Sequence, residues 1–343
     1  MPARKFLTLI LLGGIFIVLP LFSPHSVLAL WTKYENNPVL EGISGEWDSS
    51  GVANPNVMFD KNIFKMWYGG SIGSTAKIGY ATSSSGLKWE KLNNFIIGPN
   101  PIEGWDEHEV SNPSVLYSDS KKYEIWYIAT SSRWWGGYDT SRVRYATSED
   151  GISWTLYPKY VLKGDNGAWD SGGINRGISV VKVNGEYKMW YTGLDNANNW
   201  KIGLATSNDG VNWQKYSNNP VMIKTETWEN RWVSYPNVIY DGKFYHMWYV
   251  TTENKTGDKI LYARSTNGIN WEKPNNSINP ILTVGNAEDF DKKEIVNPSV
   301  VKVGNVFKMW YSGFDGSKWR IGLASGEIPV SYTHLTLPTN REV

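Results

Sequence analysis

Residues 188–213 read KMWYTGLDNANNWKIGLATSNDGVNW, and three parts of this stretch recur along the chain. The first part is a Trp-Tyr pair, whose Trp is Trp67, Trp126, Trp190, Trp248 or Trp310. The second is an upstream aromatic-acid marker: Trp47-Asp48, Trp105-Asp106, Trp169-Asp170, Trp228-Glu229 and Phe290-Asp291. The third is a downstream segment such as ATSEDGISW, which the last copy lacks. Markers in a fixed order at a spacing of roughly 60 residues indicate five internal repeats.

Each repeat has the pattern of four antiparallel strands. In the first repeat these are GVANPNVMF, IFKMWYGG, KIGYATS and a segment that begins at Trp89. The Asp-Gly or Asn-Gly dipeptide before the fourth strand predicts a tight hairpin turn. Large side chains on both faces of the second strand, such as Met66 and Trp67, are expected where a sheet lies between two others. We therefore predict an all-β fold, a five-bladed β-propeller of four-stranded antiparallel blades.

The fifth repeat ends after its third strand, and the front of the chain carries a matching fourth strand. Residues 30–40 read LWTKYENNPVL, and the fourth strand of the third repeat, residues 212–222, reads NWQKYSNNPVM. We predict that this N-terminal strand completes the last blade and closes a propeller over residues 30–326, which leaves no open sheet edge between blades.

Composition and the two ends of the chain limit the possible functions. The 343 residues include no Cys, and their net charge of +1 lacks the basic footprint of a nucleic-acid binder. The four His residues show no metal-ligand spacing, and we predict neither a metal nor another cofactor.

Residues 1–29 have a basic start and an apolar run, which predict a signal peptide or, alternatively, an uncleaved membrane anchor. Residues 327–343 are predicted to form a tail, non-native from about residue 331, and the mature protein is expected to be a secreted monomer.

Two sets of equivalent residues are expected at the mouth of the channel, because the first strand of each blade lines the propeller axis. Alignment on the aromatic-acid marker places Asn54, Asn112, Arg176, Tyr235 and Asn297 at one position. Three residues earlier stand Gly51, Glu109, Gly173, Trp232 and Glu294. We name the first set the ring position and predict that its members bind substrate.

The motifs W-D-x-x-G-V-x-x-P, MWY-x-G and IG-x-ATS-x-DG-x-x-W resemble those of five-bladed propeller glycosidases. These are glycoside hydrolase families 43 and 32, with the mannoside phosphorylases of family 130 as relatives, and the resemblance covers residues 31–325. It implies an Asp before the Pro of the first strand in the early blades, and a Glu from a later blade as general acid. Here Asn54 and Asn112 stand at those Asp positions.

Glycosidic hydrolysis usually needs a pair of carboxyl groups, and two glutamates remain on the inner rim. Glu109 and Glu294 are predicted to be catalytic, although plain polar lining of the mouth is the alternative. Arg176 is predicted to hold a substrate carboxylate or phosphate, or to neutralise these glutamates. The acids of the aromatic-acid markers recur in every repeat, and we interpret them as residues that hold loops.

The second repeat carries an insertion, SSRWWGGYDTSR at residues 131–142. Its Trp134, Trp135 and Tyr138 are predicted to stack on sugar rings, although they could instead cover the neighbouring blade. These features together predict an exported, glycoside hydrolase-like protein that acts on an oligo- or polysaccharide at the axial mouth. The alternative is a catalytically inactive propeller that binds glycans or protein partners.

Overall fold

The computed structural model describes residues 31–100, 107–118, 120, 122–131, 141–252, 257–274 and 278–328. All regular secondary structure in these ranges is β-strand, which confirms the predicted all-β class. Within the same ranges there is no helix with the length and apolar character needed to cross a membrane. The predicted leader at residues 1–29 and the tail from residue 331 lie outside the described residues.

Within the described ranges the twenty strands form five four-stranded units, of which units one and five join into one eight-stranded sheet where Gly51 pairs in parallel with Trp319. Unit one contains β2 (Gly51–Asp60), β3 (Ile63–Ile72), β4 (Thr75–Ser83) and β5 (Glu90–Lys91). Unit two contains β6 (Glu107–Tyr117), β7 (Tyr123–Ser131), β8 (Ser141–Ser148) and β9 (Thr155–Leu156). Unit three contains β10 (Ile174–Val183), β11 (Glu186–Leu194), β12 (Trp200–Ser207) and β13 (Gln214–Lys215). Unit four contains β14 (Trp232–Tyr240), β15 (Tyr245–Thr252), β16 (Lys259–Ser265) and β17 (Leu282–Thr283). Unit five contains β18 (Glu294–Val303), β19 (Val306–Phe314), β20 (Trp319–Gly326) and β1 (Thr32–Lys33).

The strand β1 joins unit five from the front of the chain. It pairs antiparallel with β20, with Thr32 opposite Ser325. A few residues later the Asn37 side chain accepts a 2.8 Å hydrogen bond from the N–H of Leu323 and donates one of 2.9 Å to its carbonyl. Asn219 makes the same two bonds to Leu204 in unit three. The sequence match between residues 30–40 and 212–222 thus corresponds to the same local structure.

The first strands of the five units are linked to one another by side-chain hydrogen bonds. In each bond a backbone N–H of one unit donates to an Asn or Ser side chain of the preceding unit, over 2.9 to 3.0 Å. The pairs are Val115 with Asn56, Val180 with Ser114, Val238 with Ser179, Val300 with Asn237 and Val57 with Ser299. These bonds connect the units in the order one to five and then return to unit one.

The core lies between neighbouring units, and the two faces of each second strand belong to different interfaces. In unit one, Met66 packs in a cluster with Trp310 of unit five. Trp67, its neighbour in sequence, packs against Tyr123 of unit two with ring centroids 5.8 Å apart. Burial of both faces explains why the second strands carry large apolar side chains at successive positions.

The Asp-Gly segments form longer turns than the sequence predicted. Six residues separate β8 from β9, and the carboxylate of Asp150 accepts hydrogen bonds from the N–H groups of Ile152 and Ser153. The prediction of a tight hairpin turn was therefore wrong, because this carboxylate organises a wider loop. The wider loop places the carbonyl of Gly151 2.9 Å from the indole N–H of Trp67, so the turn of one unit binds the core Trp of the previous one.

Candidate active site

The fold gives the ring position the same unusual backbone in all five units. Strand pairing shifts register around this position in each first strand, as in a β-bulge. The φ angles are 53° for Asn54, 51° for Asn112, 55° for Arg176, 53° for Tyr235 and 51° for Asn297. Left-handed backbone is uncommon for residues other than glycine, Asn being one of the exceptions. Its fivefold repetition indicates that the bulge sets the direction of these side chains.

Three of the five ring-position side chains meet in one hydrogen-bonded cluster. The amide nitrogen of Asn54 lies 3.1 Å from the amide oxygen of Asn112 and 2.8 Å from that of Asn297. The amide nitrogen of Asn297 lies 2.7 Å from the same oxygen of Asn112. The prediction that these positions converge is confirmed for the three asparagines. Since an amide does not ionise near neutral pH, the cluster can orient a polar ligand but cannot transfer protons.

The other two ring-position residues, Arg176 and Tyr235, lie beside each other. The guanidinium of Arg176 stacks over the ring of Trp200 at 4.6 Å and lies 6.0 Å from the ring centre of Tyr235. Across the described ranges it has no carboxylate within ion-pair distance. Burial raises the pKa of Tyr235, and the Arg176 charge opposes that rise. Arg176 is therefore a half-buried cation with hydrogen-bonding capacity for a ligand.

A cavity of about 340 Å³ opens beside the asparagine cluster. Glu109, Asn54, Asn297 and Tyr235 line it, together with Trp319. Burial raises the pKa of Glu109 above its usual 4.5, and the His108 charge acts in the opposite direction. A carboxyl group with a raised pKa next to a cavity has the properties of a general acid.

Glu294 begins β18 and is electrostatically connected to a carboxyl group that the sequence analysis did not identify. This group is Asp258, which directly precedes β16 and is only 1 % exposed. Burial, followed by the nearby charge of Glu294, raises the pKa of Asp258 to about 7, while Arg176 acts to lower it. Glu294 also raises the pKa of Tyr235. Asp258, Glu294, Arg176 and Tyr235 thus form one charged cluster.

A break in the repeat pattern could have revealed Asp258. Every third strand has a cation near its start, for example Lys201 or Lys259. The residues directly before these cations are Ala76, Ser141, Trp200, Asp258 and Trp319. Several of them lie near the cavity or the ring position: Ala76 and Trp319 line the cavity, and Trp200 contacts Arg176. Asp258 is the single acidic residue among these five. The sequence analysis aligned only the two first-strand positions and therefore missed it.

The acids of the aromatic-acid markers have the structural role that their repetition suggested. Asp170 is 1 % exposed and binds the hydroxyl of Tyr191 at 3.1 Å and the ammonium of Lys215 at 2.6 Å. It also accepts a 3.1 Å hydrogen bond from the N–H of Asp165 in the preceding loop. Asp48, Glu229 and Asp291 likewise bind a Tyr hydroxyl and a Lys. The interpretation that they hold loops is confirmed for Asp48, Asp170 and Glu229, whose carboxylates accept hydrogen bonds from loop N–H groups. Asp106 lies outside the described residues.

Two further predictions concerned the aromatic residues of the insertion and the absence of a metal site. Trp134, Trp135 and Tyr138 all fall outside the described residues. Over the ranges that are described, no group of three or more His, Cys, Asp or Glu side chains is arranged to hold a metal ion.

An all-β fold of four-stranded units, with the Glu109 carboxyl group and asparagine amides around a cavity, is consistent with a glycosidase-like protein. Residues 107–288 match the family described as the glycosyl hydrolases family 32 N-terminal domain, and the chain belongs to this family.

Individual relatives agree with this assignment. The chain is 32% identical over 259 residues to "Uncharacterized protein MT1551" of Mycobacterium tuberculosis (strain CDC 1551 / Oshkosh), covering 73% of this chain and 83% of that protein. It is 27% identical over 176 residues to the beta-1,2-mannobiose phosphorylase of Thermoanaerobacter sp. (strain X514), covering 47% and 53%. A solved structure titled "The GH130 family of mannoside phosphorylases contains glycoside hydrolases that target beta-1,2 mannosidic linkages in Candida mannan" has the same fold. Its TM-score is 0.64 at 18% identity, covering 89% of this chain and 95% of that one.

Proposed function

We propose that this protein is a glycan-cleaving enzyme whose reaction takes place at the axial mouth of a five-bladed β-propeller. Membership of a glycosyl hydrolase family supports the class of activity. The observation that carries the proposal is Glu109, a carboxyl group with a raised pKa on the wall of a cavity beside polar ring-position residues. The exact sugar and linkage are what the first experiments must find.

The five-bladed architecture closed by the N-terminal strand is part of this proposal. The cycle of hydrogen bonds between the first strands supports five units around one axis. The pairing of β1 with β20 supports closure by residues 30–40. In such a ring the first strands of all blades begin at the same end of the central channel, its mouth. Glu109 of unit two and Glu294 of unit five would lie there on either side of unit one.

Glu109 and Glu294 are proposed to be the two catalytic carboxyl groups. Burial favours the protonated form of Glu109, which suits a general acid that protonates the glycosidic oxygen. Glu294 and Arg176 both act electrostatically on Asp258 and Tyr235, and Glu294 is proposed as the base or nucleophile. Arg176, Tyr235 and the asparagine cluster would position the sugar, together with Trp134, Trp135 and Tyr138 of the insertion.

The first experiment tests turnover on β-1,2-linked mannosides and a wider panel of oligosaccharides. These mannosides come first because two similar proteins carry this linkage in their descriptions. Each substrate is incubated with and without inorganic phosphate, which distinguishes hydrolysis from phosphorolysis by the product formed. Glu109→Gln and Glu294→Gln should lower kcat by several orders of magnitude while glycan binding and Tm change little.

The matched control for these variants is Glu149→Gln. Glu149 lies in the loop before β9, and its side chain is 75% exposed. It pairs with Lys122, and neither residue belongs to the ring position. It should retain full turnover. Wild-type kcat in both catalytic variants would reject the assignment of the carboxyl pair.

A second candidate function is binding without catalysis, and the asparagine cluster favours it. Asn54 and Asn112 bond to each other and to Asn297, so these three ring positions present amides in place of carboxylates. A propeller of this kind would present glycans or protein partners at its mouth. Specific glycan binding with no cleavage product, in either buffer, would select this function over the first.

Export and assembly complete the proposal. Residues 1–29 would direct the protein out of the cytoplasm as a signal peptide, or retain it on the membrane as an anchor, and residues 30–326 would act as a monomer. The tail of residues 327–343, non-native from about residue 331, would have no part in function. Fractionation of expressing cells, with N-terminal sequencing of the mature protein, checks this: a cytoplasmic full-length chain would contradict it.

A further inference from the structure

The surroundings of Asp258 suggest a role that the carboxyl pair alone does not provide. Asp258 is 1 % exposed, and its Oδ1 atom has no hydrogen-bond partner within the described part of the chain. It precedes β16, which contacts β18, the strand that begins with Glu294. Ionising a carboxyl group this deeply buried carries a large desolvation penalty, whereas the protonated form has a much smaller one.

The charges around Asp258 also favour a single negative charge. Glu294 of β18 is a like charge, and Arg176 of β10 is the opposing cation. Tyr235 of β14 is a neutral neighbour, whereas a hydrogen bond with Thr252 of β15 favours the ionised form of Asp258. Two ionised carboxylates would face one cation, and one of the two is almost fully buried. One shared proton balances the cluster, as is general for interacting acids.

We infer that Asp258 is a positioning residue that holds its proton in mildly acidic solution and releases it as pH rises through neutrality. While the proton is held, Glu294 is the one charged carboxylate in the field of Arg176. This inference rests on the proposed function for its catalytic consequence, although the protonation itself does not. When Asp258 ionises, a second negative charge enters the field of Arg176, and this like charge disfavours the ionised form of Glu294. Asp258 does not line the cavity and is assigned no contact with the sugar.

The first test measures stability and needs no activity. The folded-state pKa of Asp258, about 7, is above the ordinary value of 3.8, so the folded protein holds this proton longer than the unfolded chain. The contribution of Asp258 to stability is complete below the ordinary pKa and is lost as pH rises from about 4 to about 7. Asp258→Asn keeps the shape of the protonated acid. The difference between its Tm and that of the wild type should therefore increase as pH rises from about 4 to about 7. At higher pH this difference should stay constant.

A matched control comes from the repeat itself. Asp209 occupies a turn position at which unit four has Asn267, and both side chains accept the same backbone hydrogen bonds. Asp209→Asn should fold normally. Hydrogen bonds from the Asn212 and Val211 N–H groups lower the pKa of Asp209, so its pH effect on stability has the opposite sign. A Tm difference for Asp258→Asn that is the same at every pH would overturn the inference.

The second test concerns catalysis on whichever glycan the wild type cleaves. Wild-type kcat should fall as pH rises through about 7, and Asp258→Asn should lack this fall while KM changes little, because its amide mimics the protonated state at every pH. Loss of kcat at all pH values, or an unchanged fall, would reject the positioning role. If the wild type cleaves no glycan, the proposed function fails, and the stability test still decides the protonation.

A measurement on the wild-type protein covers the case in which Asp258→Asn does not fold. With 13C-labelled aspartate, one carboxyl resonance should titrate near pH 7. In Glu294→Gln its midpoint should move to lower pH, because the like charge is gone. The absence of any Asp carboxyl that titrates near neutral pH would overturn the inference.

Discussion

The ammonium of Lys33 lies 2.7 Å from the carboxylate of Asp291, although 258 residues separate them in sequence. Asp291 is 1 % exposed and also accepts a hydrogen bond from the hydroxyl of Tyr311. In unit three, Lys215 of the fourth strand makes the same contact with Asp170. Lys33 of β1 is thus equivalent to Lys215 of the fourth strand in unit three, and it makes the equivalent ion pair.

Removing the Lys33 charge should destabilise the fold more than removing an exposed lysine. Lys33→Met leaves the buried Asp291 carboxylate without its cation, and loss of one partner of a buried pair costs about 3 kcal/mol. Lys122→Met breaks a pair with Glu149 in which both side chains are well exposed, and its effect should be below about 1 kcal/mol. Urea denaturation of both variants gives the comparison. Similar midpoints would show that the contact between β1 and unit five contributes little to stability.

One core Trp differs from its four equivalents. Trp67, Trp126, Trp190 and Trp310 each donate the indole N–H to a turn glycine of a neighbouring unit, at 2.7 to 3.0 Å. Trp248 is equally buried, but its indole nitrogen has no hydrogen-bond partner among the residues the structure describes. The sequence explains this, because the fifth repeat lacks the Asp-Gly segment.

Substitution by Phe should separate these two situations. Trp190→Phe loses the apolar contacts of the larger ring and also the hydrogen bond to Gly268, whereas Trp248→Phe loses contacts alone. A neutral hydrogen bond contributes about 1 kcal/mol, so Trp190→Phe should be the more destabilising by about that amount. Chemical denaturation measures the difference. Equal losses would mean that the turn hydrogen bond adds nothing to stability.

The left-handed backbone at the ring position can be tested at Asn54. Asn54→Ala and Asn54→Gly both remove the hydrogen bonds to Asn112 and Asn297. Ala must also adopt a φ near the 53° of Asn54, which costs an L-residue about 1 kcal/mol, whereas Gly adopts it freely. Asn54→Gly should therefore be the more stable of the two by about 1 kcal/mol in thermal unfolding. The reverse order would show that the bulge relaxes in these variants.

The repeats made most of the fold predictable, whereas most residues of the candidate site are positions at which one repeat differs from the others. Five copies of one pattern average out local ambiguity, which is why even the strand at residues 30–40 could be matched to its place. The convergence of Asn54, Asn112 and Asn297 followed from the same alignment. The positive φ of the ring position could not be predicted, because Arg176 and Tyr235 are residue types that rarely adopt it. Asp258 was missed because its importance arises from Glu294 and Arg176, which come from other units.

The last prediction concerns Glu109 as the proton donor. Burial raises its pKa, so the acid form persists to higher pH than for an exposed glutamate and is lost as pH rises through the folded value. Glu109→Gln cannot donate a proton to the leaving oxygen, and kcat on a natural glycan should fall by roughly 10²–10⁴. An aryl glycoside with an acidic phenol as leaving group needs no proton, so on that substrate the loss should be about tenfold or less. Glu294→Gln should lose activity on both substrates, because the base or nucleophile is required for either. Equal losses for Glu109→Gln on the two substrates would contradict the general-acid assignment and leave Glu109 as part of the binding surface.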